Sequence, residues 1–385
     1  MKENKPEMRF KGYEDNWEQR KLGEFAIESC EKGHTGKEAS KLTVKLHTKG
    51  VCKMNEKTQG SDNTQYYIRH AGQLIYGKQN FFNGAIGIVP KNLDKYESTK
   101  DVPAFDIDET VYVDWLYQYI ARPEIYKSQE INCTGTGSKR FHVDSFFNMN
   151  ISTPSIEEQK KISNCLNNLD HLITIHQNKY NKLLEVKKLL LKKMFPQDDS
   201  KYPEIRFKGY EGKWEQRKLG DIAKTTIGEF VIKTKQDDSF LYPVYNGGSS
   251  NTGYYSEFNN DGEHILISAR GANAGYVNIY KGRYWAGNSC YSLSMDNQKQ
   301  FAIDFIYQEM KKNQHLFTDY QQAANIPSIS KTDVEKFLVQ YPSFQEQKKI
   351  GECFNKLDNI ITLHQNKYNE LLKIKESLLK NMFTE

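Results

Sequence analysis

The chain states two of its own segments twice, and this limits its architecture more than any other feature. "RFKGYEDNWEQRKLG" begins at Arg9, and "RFKGYEGKWEQRKLG" begins at Arg206. Over 6–26 and 203–223, 16 of 21 positions are identical at an offset of 197. A longer pair follows each: "EEQKKISNCLNNLDHLITIHQNKYNKLLEVKKLLLKKMF" (157–195) and "QEQKKIGECFNKLDNIITLHQNKYNELLKIKESLLKNMF" (345–383), with 25 of 39 positions matched at an offset of 188. Two copies at so long a period describe a duplicated domain-sized unit and not a solenoid. The stretches between the repeats have diverged. The expected organisation is therefore a constant segment (1–26), a variable block (27–156), a constant helix (157–195), a linker with the second constant segment (196–223), a second variable block (224–344) and a second constant helix (345–385).

Both constant helices carry a seam. Apolar positions in the first alternate in steps of four and three: Ile162, Leu166, Leu169, Ile173, His176, Tyr180 and Leu183, continuing through Lys187 to Met194. The second gives Ile350, Phe354, Leu357, Ile361, His364, Tyr368 and Leu371, continuing through Lys375 to Met382. A heptad held over more than four repeats marks a long coiled-coil helix. Ser155 with Glu158, and Ser343 with Glu346, have the spacing of a capping box at each start. Proline at 196 forbids the first helix from continuing. His176 and His364 interrupt the seams at the same place and read as a register-setting pair. Two copies of one unit tend to relate by a two-fold axis, which makes the helices antiparallel with their identical "HQNKYN" centres opposed. Each helix would span ~58 Å. By the same symmetry the segment 6–26 should pack near the end of the second helix, around Met382. The fold class expected is α+β: two mixed blocks separated by two long helices packed as an antiparallel coiled coil, pseudo-two-fold symmetric.

Composition excludes more than it assigns. No apolar run approaches the ~20 residues that span a bilayer, and "MKENKPEMRF" lacks a signal-peptide core, so a cytoplasmic protein with no membrane partner is expected. The six cysteines have no C-x-x-C pair and no metal-ligand spacing, which favours reduced thiols and no bound metal. Net charge is +5, yet the blocks are near neutral. Block 27–156 has 16 basic and 15 acidic residues, and block 224–344 has 11 and 12. Charge alone does not point to nucleic acid. The chain contains no G-x-x-x-x-G-K-[ST] phosphate loop, no H-E-x-x-H and no Asn/Asp-Pro-Pro-aromatic motif, which disfavours an enzyme.

The order of parts resembles the specificity subunits of type I restriction–modification systems. The start "WEQRKLG", a variable domain ending in "NIPSISKTDVEKFLVQYPSFQEQKKI" (325–350), a long helix directly after it, and the whole arrangement occurring twice carry the resemblance across nearly the full chain. "FHVDSFFNMNISTP" (141–154) stands where 329–342 stands in the second half. The resemblance implies that each block is a target recognition domain reading half of a split site in double-stranded DNA. It implies that the helices space the blocks and dock modification subunits, two of them, which methylate adenine. Restriction subunits that translocate and cut DNA join that complex. No catalytic residue and no cofactor is implied for this chain; S-adenosylmethionine, ATP and Mg belong to the partner subunits. A non-catalytic coiled-coil adaptor with two protein-binding domains is the alternative.

Base edges are read by Arg or Lys at guanine and by Asn or Gln at adenine. Loops that are basic, amide-rich and Gly/Ser-rich together are therefore the candidates. In the first block these supply Lys78, Gln79 and Asn80, then Ser138, Lys139 and Arg140. In the second they supply Asn246, Ser250 and Asn251, then Arg270 and Asn273, then Gln322 and Asn325. "SARGANAGYV" (268–277) is matched in the first block to "GKQNFFNGAIGIV" (77–89).

Overall fold

The computed structural model describes residues 4–54, 61–135, 138–197, 200–295, 299–319 and 327–384. It divides into two compact units, Met1–Ile175 with Tyr368–Glu385, and His176–Lys367. The long helices run Ile156–Lys193 and Phe344–Asn381. Each unit therefore owns the start of one helix and the end of the other.

The first unit is built on a four-stranded antiparallel sheet in the order Ala26–Ser29, Ala104–Ile107, Leu74–Tyr76, Ile86–Ile88. Side chains alternate across it. Leu74, Tyr76 and Phe105 face the main core, while Ile75 and Ala104 face a smaller one with Leu42 and Val44. Strands Lys32–Thr35, Gln65–Arg69 and Tyr96–Ser98 form a second sheet, and Leu42–Val44 pairs with Val51–Lys53 as a hairpin. The second unit repeats the main sheet: Ala223–Ile227, Cys290–Met295, Glu263–Ser268, Val277–Lys281. Ile265, Ile267 and Leu293 line its core; Leu266 and Cys290 face a satellite cluster around Tyr284. Its second sheet differs, with Tyr242–Tyr245 between Tyr254–Tyr255 and Trp285–Ala286.

The repeated segments explain themselves at this level. Glu18–Lys21 pairs antiparallel with Asn150–Thr153, and Glu215–Lys218 pairs with Leu338–Tyr341. Arg9 grips Glu158 through Nε at 2.8 Å and Nη2 at 2.7 Å; Arg206 grips Glu346 at the same two distances. The Met8 N–H donates to Asn381 O at 2.8 Å, and its counterpart Ile205 donates to Lys193 O at 2.8 Å. In each unit the constant segment thus ties the start of one long helix to the end of the other. Gln159, 1 % exposed, accepts the Tyr112 N–H and donates to Pro154 O; Gln347 does the same for Ala302 and Pro342. The constant glycines sit against short helices late in each block: a Cβ on Gly23 would stand 3.0 Å from Phe147 Cβ, and one on Gly220 3.0 Å from Glu335 Cβ.

The segment 6–26 does meet the end of the second helix. Trp17, Trp115, Met382 and Phe383 share one core, with Trp17 and Phe383 rings 6.3 Å apart and edge to face. In the second unit Trp214, Phe305 and Phe195 form the matching group.

The helices pair antiparallel in both units. In the first, Lys375 reaches Asp170 at 2.5 Å; in the second, Lys187 reaches Asp358 at 2.5 Å. Those lysines are the polar seam positions. His176 Nδ1 lies 3.0 Å from His364 Nδ1, centre against centre. Along the seam, Ile162, Leu166, Leu169, Ile350, Phe354, Ile361 and Leu371 are buried, and Ile173, Tyr180, Leu183, Leu357 and Tyr368 are half-buried. Not all of it is devoted to pairing. Ile162 and Leu166 lie in the first unit's core, and Ile350 and Phe354 in the second's, so the opening heptad of each helix also packs on its own block.

The capping box is realised only in part. Ser155 Oγ accepts the Glu158 N–H at 3.4 Å, but both Glu158 carboxylate oxygens are taken by Arg9. A charged fork two hydrogen bonds wide outcompetes the return to a single backbone N–H. Among the described residues no helix is long and apolar enough to cross a membrane.

Candidate nucleic-acid interface

The two units build the connection between the third and fourth strands of the main sheet differently on the same frame. In the first unit it is the tight turn stretch Lys78–Asn83, and in the second it is residues 269–276. The proposed match between 77–89 and 268–277 therefore falls on one topological position.

In the first unit, Phe81 anchors the stretch by stacking on Phe141 with ring centroids 4.3 Å apart. Gln79 is left exposed, and Lys78 and Asn80 are half-buried. Asn80 Oδ1 accepts from Asn83 Nδ2 at 3.2 Å. The Phe141 N–H donates to Lys78 O at 2.8 Å, which brings the 138–140 loop alongside. That loop is closed by paired backbone bonds between Thr134 and Arg140. Its cations are already engaged. Lys139 Nζ holds Glu130 at 2.6 Å, a hydrogen bond that raises the lysine pKa, and Arg140 lies 3.5 Å from Asp101. Ser138 is exposed. The sequence showed the basic residues but not these partners, which sit 9 and 39 positions away.

The second unit brings its loops closer together. Asn246 Oδ1 accepts the Ser289 N–H at 2.9 Å, so this amide holds the turn "GNS" (287–289) in place rather than facing outward. Gly247 takes φ +73°, and a Cβ there would lie 2.8 Å from Arg270 O; only glycine fits both demands. Ser268 Oγ donates to Gly248 O at 2.7 Å, and Asn278 Nδ2 to Ser249 O at 3.3 Å. The loop ends up with Ser249 and Ser250 exposed and Asn251 half-buried. Arg270 and Asn273 are exposed on the adjoining loop, and Arg270 makes no ion pair with a described carboxylate. The Gly271 N–H donates to Pro327 O and the Ile329 N–H to Ala269 O, so the segment after residue 326 borders the same surface. Gln322 and Asn325 lie outside the described residues.

The structure thus sets the 247–249 loop, which leads to Ser250 and Asn251, against the loop that carries Arg270 and Asn273, and sets Lys78 beside Phe141, which follows Ser138–Arg140. Asn246 is a support for its loop. Two elements escaped the sequence reading. One is the 287–289 turn, whose signal was the Gly-Asn pair in "WAGNSC". The other is the hairpin tip at 45–50: His47 N–H donates to Asn83 O at 2.9 Å and Thr48 N–H to Gly84 O at 2.8 Å, fastening it to the 78–84 stretch. Chemically, each face offers amides and hydroxyls suited to base edges, with a free guanidinium in the second unit.

Comparison with known proteins supplies the context. The family profile described as type I restriction modification DNA specificity domain matches residues 14–185 and again 211–373. A putative type I specificity subunit of Mycoplasma genitalium is 22 % identical over 320 residues, covering 82 % of this chain and 78 % of the relative. The specificity subunit of the EcoprrI type I restriction enzyme of Escherichia coli is 27 % identical over 184 residues, 46 % of this chain; the match spans only 43 % of that relative. Among solved structures, the S subunit of a type I restriction-modification system from M. genitalium superposes with a TM-score of 0.70, at 17 % identity, over 99 % of each chain. At that identity the superposition speaks for the fold.

Proposed function

The chain belongs to the type I restriction modification DNA specificity family, and on that premise we propose that it reads a bipartite DNA site, one half through each variable block. The observation that carries the reading is duplication with divergence. Two copies of the specificity domain share their ties to the helices, while the loop faces differ in length, sequence and hydrogen bonding. A constant frame with changeable loops is what a modular sequence reader requires. The antiparallel helices serve as the spacer and, with the constant segments, as the dock for a pair of modification subunits. Methyl transfer from S-adenosylmethionine, and the ATP- and Mg-dependent work of restriction subunits, then belong to the partners. The adaptor alternative gains no support from the candidate loop residues, which are amides, hydroxyls and cations.

The test is exchange of block 27–156 for that of another family member. Methylated sites are then mapped in cells expressing the modification subunits. One half of the site should change and the other should stay. Simultaneous change of both halves would sink the modular reading. Heptads inserted after Tyr180 and after Tyr368 preserve the seam and lengthen each helix by ~10 Å, about three base-pair steps of ~3.4 Å. The half-sites should persist while the gap between them grows. An active variant that keeps the original gap would assign the spacing to the modification subunits instead.

A further inference from the structure

The near-neutral charge of the first block hides an uneven distribution. Residues 39–55 contain four lysines, Lys41, Lys45, Lys49 and Lys53, and no acid. This stretch is the hairpin Leu42–Val44 with Val51–Lys53, paired Leu42 to Lys53 and Val44 to Val51. Leu42 and Val44 are buried against Ile75 and Ala104 of the main sheet, so one face of the hairpin is fixed to the core. Lys41 lies over the Tyr66 ring at 5.1 Å. Lys45 and Lys49 flank the tip, are exposed, and form no ion pair with a described carboxylate. Lys139, by contrast, is matched to Glu130.

The tip is unusual in its backbone. His47 has φ +57° and Thr48 has φ +54°. Two successive positive φ values with the Lys49 N–H directed at Leu46 O (3.4 Å) make a type I′ turn. Asn-Gly is the pair that favours this turn, and a β-branched residue in the left-handed region is strongly disfavoured. Such a conformation persists only where the surroundings over-determine it, and here they do. His47 N–H is held by Asn83 O, Thr48 N–H by Gly84 O, and Thr48 O accepts from Tyr117 Oη at 3.2 Å. The lysines therefore stand on a rigid mount that is bolted to the candidate base-reading stretch 78–84.

We propose that this hairpin is a DNA-backbone contact, with Lys45 and Lys49 each neutralising a phosphate of the duplex read by the first block. The proposal rests on the DNA-reading function above and adds to it a sequence-independent anchor. Backbone contacts set register and orientation while base contacts discriminate, so a rigid cationic tip beside the reading stretch places the latter in its groove. The long unpaired lysines need no conformational search by the turn, because the turn is already fixed.

The experiment uses the full chain assembled with its modification subunits. One duplex carries the methylated site found by sequencing, and a second is scrambled; affinity is followed from about 50 to about 200 mM KCl. Lys45→Ala/Lys49→Ala should weaken both duplexes by the same factor, about 30-fold near ~0.15 M salt, and reduce the salt slope by about 2. The methylated sequence should not change. Lys45→Arg/Lys49→Arg should restore affinity and slope. Removing two exposed lysines elsewhere, Lys91→Ala/Lys213→Ala, controls for net charge. Unchanged binding in the Lys45/Lys49 variant, failure of the arginine variant at unaltered thermal midpoint, or an equal loss in the control would each overturn the proposal while leaving the DNA-reading function standing. A wild-type complex that bound no DNA would overturn both.

Discussion

Helix Val113–Ile120 in the first unit and helix Ile303–Lys312 in the second occupy the same place, yet one buried position differs in kind. In the first unit it is Tyr119, whose hydroxyl accepts the Ser152 N–H at 3.5 Å, next to Phe383. In the second it is Glu309, 2 % exposed, which takes the Gln340 N–H and an Asn313 amide at 3.2 Å and leaves Oε2 without a partner. Three residues on, Arg122 caps Thr384 O in the first unit, and Lys312 caps Pro196 O at 2.6 Å in the second. The job of each position, serving the strand and the incoming helix end, is preserved while its chemistry is not. The frame tolerates substitution as long as the backbone groups it must satisfy are met.

The largest effect is expected at the arginine forks. Arg9→Ala and Arg206→Ala would each leave a carboxylate that is 1 % exposed without its partner, and breaking such a pair costs about 3–5 kcal/mol. Chemical denaturation followed by hydrogen exchange in each unit should show nearly equal losses, each in its own unit. Clearly unequal losses would mean that the two frames are not equivalent.

Glu309 sets the second unit apart through pH. Burial raises its pKa from 4.5 to about 7. The folded unit thus favours the protonated acid. Its contribution is fully present below the unfolded pKa near 4.5 and is lost as pH rises through about 7. Glu309→Gln, which cannot ionise, should stabilise the second unit by about 3 kcal/mol at pH 8 and make no difference at pH 4. Tyr119→Phe in the first unit should cost under about 1 kcal/mol. A pH-independent Glu309→Gln effect would show that water or a rearranged neighbour satisfies the carboxylate.

The smallest effect belongs to the feature that the halves share most closely. Two imidazoles meeting Nδ1 to Nδ1 can share one proton and not two. Partial burial, His364 and the nearby Lys179 and Lys367 hold His176 below its ordinary pKa. A depressed pKa in a base means stability that is present above the unfolded value and lost as pH falls through the folded one. Helix pairing should weaken as pH falls below the ordinary histidine value of 6.5. His176→Leu/His364→Leu should abolish that dependence and gain about 1 kcal/mol or less, read as thermal midpoint against pH.

What was legible in the sequence was whatever the duplication had kept. The seam, the antiparallel sense, the meeting of His176 with His364 and the docking of segment 6–26 beside Met382 all follow from comparing one copy with the other. The forks were half visible: Glu158 and Glu346 stood out, but as capping residues, because local spacing cannot reveal an arginine 149 or 140 positions away. Inside the blocks the two copies have diverged too far to compare residue by residue. Tyr119 and Glu309 could not be recognised as equivalents, and the amide of Asn246 looked outward until its bond to Ser289 was seen. The hairpin tip was missed for a different reason. Its turn type is announced by Asn-Gly, and His-Thr announces nothing.

The division of the units has a consequence for synthesis. The second unit is one continuous stretch, His176–Lys367, whereas the first is completed by Tyr368 onward. On a ribosome that emits residues in order, the second unit can close before the first, although most of the first emerges earlier. Until Met382 and Phe383 arrive, Trp17 and Trp115 lack the wall of their core. The nascent first unit is thus an open apolar site for as long as some two hundred residues take to be made, an interval of tens of seconds at roughly 5–20 residues per second. A chain cut short before Met382 would never cover that site. Such a product would pair an intact second unit with a first one that exposes its core, the kind of surface that draws chaperones and invites aggregation.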